Sequence, residues 1–166
     1  DVYKRQDEIN SLVSLAEESG HEYYDRWEFL NAYSGCMIGN PAISVLTDAY
    51  LKGICQYDVE KAYRYACNTA ERFGNGERGY SVMSVSKTLE YAYFDWCLSQ
   101  LAKALEYEAD AAFYEKRGQN YRNTFNPEVG WFYPRQEDGA YAPWRDDART
   151  AYSFGCEESN LYQQGW

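Results

Sequence analysis

The sequence predicts an all-α protein of paired helices, interrupted by one long aromatic loop or short hairpin near residues 125–155. Three observations predict it. Apolar residues recur at helical spacing in five successive stretches, Gly or Pro punctuates most of their ends, and the pattern changes abruptly after Thr124. With 166 residues, the chain has room for one ordinary domain and a sizeable core.

Between residues 7 and 19, Ile9, Leu12, Val13, Leu15 and Ala16 repeat at helical spacing, and Gly20 supplies a stop. A second helix fits 42–52 through Ala42, Ile43, Val45, Leu46, Ala49, Tyr50 and Leu51, with Pro41 at its first turn and Gly53 past its end. Val59, Ala62, Tyr63, Ala66 and Ala70 predict a third over 59–73, broken by Gly74-Asn75-Gly76. The strongest signal runs from 86 to 105. Leu89, Ala92, Tyr93, Trp96, Cys97, Leu101, Ala104 and Leu105 form a wide apolar stripe there, with Ser86 placed as its N-cap. A fifth helix is expected over 107–123 through Ala109, Ala112, Phe113 and Tyr121. The short connections suit antiparallel neighbours. Beyond them, Asn126-Pro127-Glu128-Val129-Gly130 is turn chemistry, Trp131-Phe132-Tyr133-Pro134 is an aromatic run, and Asp138-Gly139 offers a second turn before Tyr141 and Trp144. Long structured loops on a helical scaffold are where sites tend to be built.

Hydrophobic residues at 45% and charged residues at 25% describe a folded chain. The 18 Tyr, 5 Trp and 7 Phe supply a core first, and also suit stacking against flat ligand faces such as sugars. A net charge of −10 repels phosphate backbones and anionic lipid heads, which argues against nucleic-acid and membrane-surface roles. It tolerates a neutral substrate or a divalent cation. No apolar run is long enough to span a bilayer, and residues 1–20 hold no continuous apolar signal segment. Residues 1–6, Asp1-Val2-Tyr3-Lys4-Arg5-Gln6, match the translation of a transposon end used to prepare sequencing libraries. The domain proper is therefore expected over 7–166, as a metagenomic fragment truncated at both ends. Cys36, Cys55, Cys67, Cys97 and Cys156 have no metal-ligand spacing and are expected as small buried residues; His21 alone could not complete a zinc site with them.

Carboxylates are too abundant for abundance to choose among them. Glu106, Glu108, Asp110 and Glu115 read as solvated faces, and Asp48 and Asp95 as satisfied structural groups. The segment from Cys156 to Trp166 differs. It sets Glu157 and Glu158 among small, amide and aromatic residues directly after the long loop. Aromatic shielding would disfavour a carboxylate's charged form, as a general acid near neutral pH requires. Asn160, Gln163 and Gln164 could offer amide oxygens to hydroxyls or to a hard cation. The plainer alternative is that Glu157 and Glu158 occupy the first turn of a following helix.

Several stretches, in order, resemble the glycoside hydrolase family 92 α-mannosidases: Cys36-Met37-Ile38-Gly39-Asn40-Pro41-Ala42, Thr47-Asp48-Ala49-Tyr50-Leu51-Lys52-Gly53-Ile54, Ser86-Lys87-Thr88-Leu89-Glu90-Tyr91-Ala92-Tyr93 and Asp95-Trp96-Cys97. Arg117, Asn120-Tyr121, Asn123 and Phe125-Asn126-Pro127 fit the same pattern, and Glu158-Ser159-Asn160-Leu161-Tyr162-Gln163-Gln164-Gly165-Trp166 resembles the family's closing signature. The resemblance implies a partial (α/α) helical barrel lacking its N-terminal β-sandwich and the rest of the barrel. It implies calcium-dependent, inverting hydrolysis of terminal α-linked mannose, with the α-1,2 linkage preferred. Glu158 would be the general acid. Asn160 and Gln163 would serve the calcium or sugar shell, and Trp166 would contact sugar. A Gln in place of Glu158 would instead resemble members directed at mannose phosphodiesters. At Asn31-Ala32-Tyr33-Ser34 the chain departs from the aromatic or Arg that members often carry. The implied partners are mannose-containing glycans, and the implied location is the periplasm or exterior of a glycan-foraging bacterium. Two other classes stay open: a non-catalytic helical glycan-binding protein, and an interaction scaffold, for which the sequence shows no repeat period.

Overall fold

The computed structural model describes residues 2–29 and 32–165. Its order is α1 (Val2–Glu18), β1 (Glu28–Phe29), β2 (Ala32–Tyr33), α2 (Pro41–Leu51), α3 (Val59–Arg72), α4 (Val85–Ala104), α5 (Glu108–Gly118), a 3₁₀ helix (Gln119–Thr124), β3 (Phe125–Asn126), β4 (Trp131–Phe132) and α6 (Leu161–Gln164). The chain is all-α, as expected, with two small antiparallel hairpins added. The β3–β4 hairpin pairs Phe125 with Phe132 and Asn126 with Trp131, where the sequence allows one. The β1–β2 hairpin pairs Glu28 with Tyr33 and was not expected; two-residue strands give too short an alternation to read.

The 20-residue α4 is central and packs against α2, α3 and α5. Ser84, not Ser86, caps it by accepting the Lys87 N–H at 3.2 Å. The expected cap lies two residues too late, which leaves the fully buried Ser86 hydroxyl for another task. The inward face of α4 buries Leu98 and Leu101 against Ile43, Leu46, Ala66 and Tyr114. Each fully buried Leu or Ile contributes about 1.5–3 kcal/mol. Tyr93 and Trp96, read from the sequence as part of the buried stripe, lie on the opposite face and stack on each other with centroids 6.2 Å apart. The fifth helix ends earlier than its periodicity suggests. Gly118 presses its backbone on Trp96, and the chain tightens into the 3₁₀ turn there.

Asp95 is the satisfied structural carboxylate the sequence suggests. It accepts from Arg117 Nε at 3.0 Å, and Arg117 also binds Glu71 and the Ala70 carbonyl at 2.9 Å, tying α3, α4 and α5 together. Asp48 instead is exposed and pairs with Lys52 at 2.7 Å. Only Cys97 and Cys156 are buried; Cys36 and Cys55 are exposed in loops, and none of the five is bonded to another.

A second, smaller core gathers Val85, Tyr133, Ala142, Ala148, Cys156 and Leu161. It lies where the start of α4 meets the long excursion, and its scaffold is loop rather than helix. Among the described residues no helix is long and apolar enough to cross a membrane.

Candidate active site

The first turn of α4 grips the loop before α6. The Val85 N–H donates to the Gly155 carbonyl at 2.7 Å, Ser86 Oγ accepts the Glu157 N–H at 3.0 Å, and Lys87 Nζ pairs with the Glu157 carboxylate at 3.2 Å. Gly155 has φ +66°, and a Cβ there would stand 2.9 Å from the Pro134 ring, so only glycine fits. The Ser153 N–H closes the loop on the Ser159 carbonyl at 2.8 Å. Between these ties sits Glu158, exposed, with φ 51°.

Glu158 lines a cleft of about 260 Å³ with Glu157, Lys87, Arg26, Gly35, Met37 and Ile38. Left-handed backbone collects there. Of the seven non-glycine residues with positive φ among those described, Met37 and Glu158 line the cleft and Trp27 adjoins Arg26. Such conformations cost about 1 kcal/mol or more each and persist where the surroundings enforce them. The Arg26 guanidinium sits 5.9 Å and 5.5 Å from the Tyr33 and Phe73 ring centroids and donates to Tyr33 Oη at 2.7 Å. Its Nε and Nη1 are buried with no acceptor in the protein. A larger hollow of about 630 Å³ runs along Lys103, Glu106, Glu108, Ala111, Ala112 and Glu115, and its charged residues are solvated.

The expected aromatic shield around Glu158 is absent among the described residues. The rings are spent on bracing the loop. Trp131 stacks on Tyr162 at 6.0 Å and donates to the Leu161 carbonyl at 2.8 Å, Phe132 meets Phe125 edge-on, and Tyr133 packs on Trp144 and Phe154. The first-turn alternative for Glu157 and Glu158 also fails. Asn160 is the N-cap of α6, so both acids precede the helix.

Asn160 and Gln163 do come together, but with each other. Asn160 Oδ1 accepts the Gln163 N–H at 2.9 Å and Gln163 Oε1 accepts the Asn160 N–H at 3.1 Å, a reciprocal capping box. Gln164 donates to Ser159 Oγ at 3.0 Å. Trp166 lies outside the described residues, as does Asn31. For calcium the donor set present does not fit. The two amide oxygens already accept backbone N–H groups, and no three His, Cys, Asp or Glu side chains converge among the described residues.

Sequence reasoning missed Arg26 and Lys87 as cleft residues and Ser86 as the support of Glu157. Lys87 and Ser86 lie in a stretch singled out for other reasons; Arg26 gives no periodic or motif signal. Glu90, one turn of α4 beyond Lys87, was also missed. It faces the backbone of Gly39, and partial burial pushes its carboxyl up.

Comparison with known proteins bears on this geometry. The model of the glycosyl hydrolase family 92 catalytic domain matches residues 2–166. The structure of the family GH92 α-mannosidase BT3965 from Bacteroides thetaiotaomicron superimposes with a TM-score of 0.90 at 31% identity, covering 100% of this chain and 24% of that one. The same enzyme in complex with mannoimidazole gives 0.84 at 30% identity, with 97% and 23% covered. The inverting mannosidase BT2199 from Bacteroides thetaiotaomicron VPI-5482 gives 0.82 at 29% identity, with 93% and 23% covered. The chain thus spans about a quarter of the length of these structures. Among curated proteins nothing matches.

Proposed function

The chain belongs to glycosyl hydrolase family 92, and from that premise we propose that it forms part of the catalytic domain of an α-mannosidase releasing terminal mannose from glycans with inversion. Glu158 is the general acid in this reading. The supporting observation is its placement: a left-handed carboxylate on the rim of the cleft that also holds Arg26 and Lys87, inside a chain that superimposes along its whole length on an α-mannosidase.

Glu158 would hand its proton to the glycosidic oxygen as the bond to the leaving sugar breaks. Ser86 and Lys87 hold the loop that presents it, and the free Arg26 donors would meet sugar oxygens. Inversion needs a second carboxylate roughly 6.5–9.5 Å away on the other ring face to activate water; we assign no residue of this chain to that role. Calcium, implied by the family, would assist by binding sugar hydroxyls, with donors from outside the described residues, and no step here runs through it. We take the α-1,2 linkage as the preferred one and the periplasm or exterior of a bacterium as the location.

The test is a full-length enzyme carrying this chain, assayed for mannose release from α-linked mannobiosides and from activated aryl α-mannosides. Glu158→Gln is expected to lower turnover on mannobiosides roughly 10²–10⁴-fold while sparing the aryl mannosides, which need little protonation. Equal losses on both, or none, remove the general-acid assignment. Glycan binding without any hydrolysis by the unaltered enzyme would favour the non-catalytic reading. A chelator arm tests the calcium requirement separately.

A further inference from the structure

The start of α4 does two jobs with neighbouring serines. Ser84 performs the helix cap. Ser86, the second residue of the helix, is fully buried, and its hydroxyl oxygen accepts the Glu157 N–H at 3.0 Å. At the second position of the helix no carbonyl of the preceding turn is available to this hydroxyl, and it reaches 71 positions along the chain instead. The same hydroxyl is within hydrogen-bonding reach of the buried Cys156 thiol, on which Ser159 also converges. Flanking it, the Val85 N–H fixes the Gly155 carbonyl and Lys87 fixes the Glu157 side chain. Gly155 is thus tied to Val85, Cys156 to Ser86, and Glu157 to both Ser86 and Lys87, while Glu158, next in line, has a backbone conformation that costs energy unless enforced.

We infer that Ser86 is a positioning residue for Glu158: its buried hydroxyl fixes the Glu157 amide and thereby the left-handed turn that presents the Glu158 carboxyl to the cleft. The inference rests on the reading of Glu158 as the proton donor. Removal of the hydroxyl leaves the Glu157 N–H without its acceptor, so the Cys156–Glu157 peptide, the one before the peptide that enters Glu158, loses the tie that sets the turn. The substrate-binding residues of the cleft, Arg26 among them, are held by other elements and stay in place. A displaced acid harms only the step that needs its proton, and a misplacement near 1 Å costs up to about 100-fold.

The experiment uses the full-length enzyme with Ser86→Ala, Ser86→Thr and Glu158→Gln, each checked by thermal melting and assayed on a mannobioside and an activated aryl mannoside. Ser86→Ala is expected to lower kcat on the mannobioside by about 10- to 100-fold, to change kcat on the aryl mannoside less than about threefold, and to leave KM for both within about twofold. Ser86→Thr, which keeps the acceptor, restores most of the lost turnover. In the double variant with Glu158→Gln, the Ser86→Ala loss disappears, because no acid remains to be positioned. Equal loss on both substrates, a rise in KM without loss of kcat, or a full Ser86→Ala penalty on top of Glu158→Gln would each overturn the inference. Should Ser86→Thr misfold, the double variant still decides. If Glu158→Gln itself fails to discriminate the two substrates, the acid assignment falls first; if it discriminates and Ser86→Ala does not, only the inference falls.

Discussion

The two cores of the molecule are built on different physics. The larger, from α1 to α5, buries side chains recurring every three to four residues, such as Ile43, Leu46, Ala66, Leu98 and Leu101, and its order follows from burial. The smaller core, around Val85, Tyr133, Ala148, Cys156 and Leu161, has few helical residues, and its order comes from individual hydrogen bonds: Tyr133 N–H to the Thr124 carbonyl at 2.7 Å, Ala142 N–H to Pro134 at 2.9 Å, Val85 N–H to Gly155 at 2.7 Å. Left-handed residues at Ser153, Gly155 and Glu158 fall within the loop that builds the second core, whereas in the first they fall in the connections between helices, at Gly20, Glu22, Gly53 and Glu106. A core of burial tolerates small losses anywhere; a core of single ties transmits each loss to the residue it holds. The candidate acid hangs from the second kind.

Truncating one fully buried leucine in each core breaks or confirms this contrast with the largest effect. In the full-length protein Leu46→Ala is expected to cost about 2–5 kcal/mol of stability, read as a fall in the denaturant midpoint, with turnover per folded molecule unchanged. Leu161→Ala keeps the backbone carbonyl that anchors Trp131 but removes a fully buried side chain next to the capping box of α6. It should cost turnover on mannobiosides as well as stability. If the Leu46 variant lost turnover and the Leu161 variant did not, the division of labour would be wrong.

The helical part of the fold was legible in the sequence because burial writes itself periodically: helices α2, α3 and α4 begin and end within two residues of where spacing, Pro41, Gly53 and Gly74 put them. The site was legible in part. Glu158 stood out by its neighbours, yet the reason given, aromatic shielding, was not what surrounds it, since Trp131 and Tyr133 serve the loop. Asn160 and Gln163 stood out as oxygen donors, yet three-residue spacing ahead of a helix is also the signature of a capping box. Ser86 was misread because a cap and a residue two positions inside the helix look alike in sequence. Arg26 was invisible, since a partner 47 positions away, the Phe73 ring, leaves no trace in local pattern.

The next largest effect is in pH. Burial outweighs the pull of Arg117 and pushes the Asp95 carboxyl up from 3.8 to about 6. A carboxyl that holds its proton more tightly folded than unfolded adds stability below pH about 3.8, and that contribution is lost as pH rises through about 6. The change is at most about 3 kcal/mol. Urea midpoints at pH 4 and pH 7 check it: the advantage of the unaltered protein over Asp95→Asn should shrink as pH rises. An advantage that grows instead would mean the Arg117 pair dominates. A smaller effect belongs to the cap. Ser84→Ala should cost about 1 kcal/mol and Ser84→Gly only a few tenths, because glycine leaves the cap backbone to water; thermal denaturation of both variants separates this from a packing loss, which would make glycine the worse of the two.

The smallest stability effect sharpens the contrast most. Lys87 and Glu157 are each nearly half exposed, 41% and 46%, and pairs of that kind contribute 0–1 kcal/mol at most, less as salt rises. Lys87→Met should therefore leave the denaturant midpoint within about 0.5 kcal/mol of the unaltered protein. Yet the pair is one of the ties that the start of α4 makes to the loop bearing Glu158, so turnover on mannobiosides should fall a few-fold at unchanged KM, and about 0.5 M NaCl should reproduce part of that fall in the unaltered enzyme by screening the pair. The same exchange at Lys52, whose pair with Asp48 lies at the end of α2 and is more exposed, should change neither quantity. A Lys87 variant indistinguishable from the Lys52 variant in turnover would show that the loop is held without its ionic tie, and that the hydrogen bonds from Val85 and Ser86 suffice.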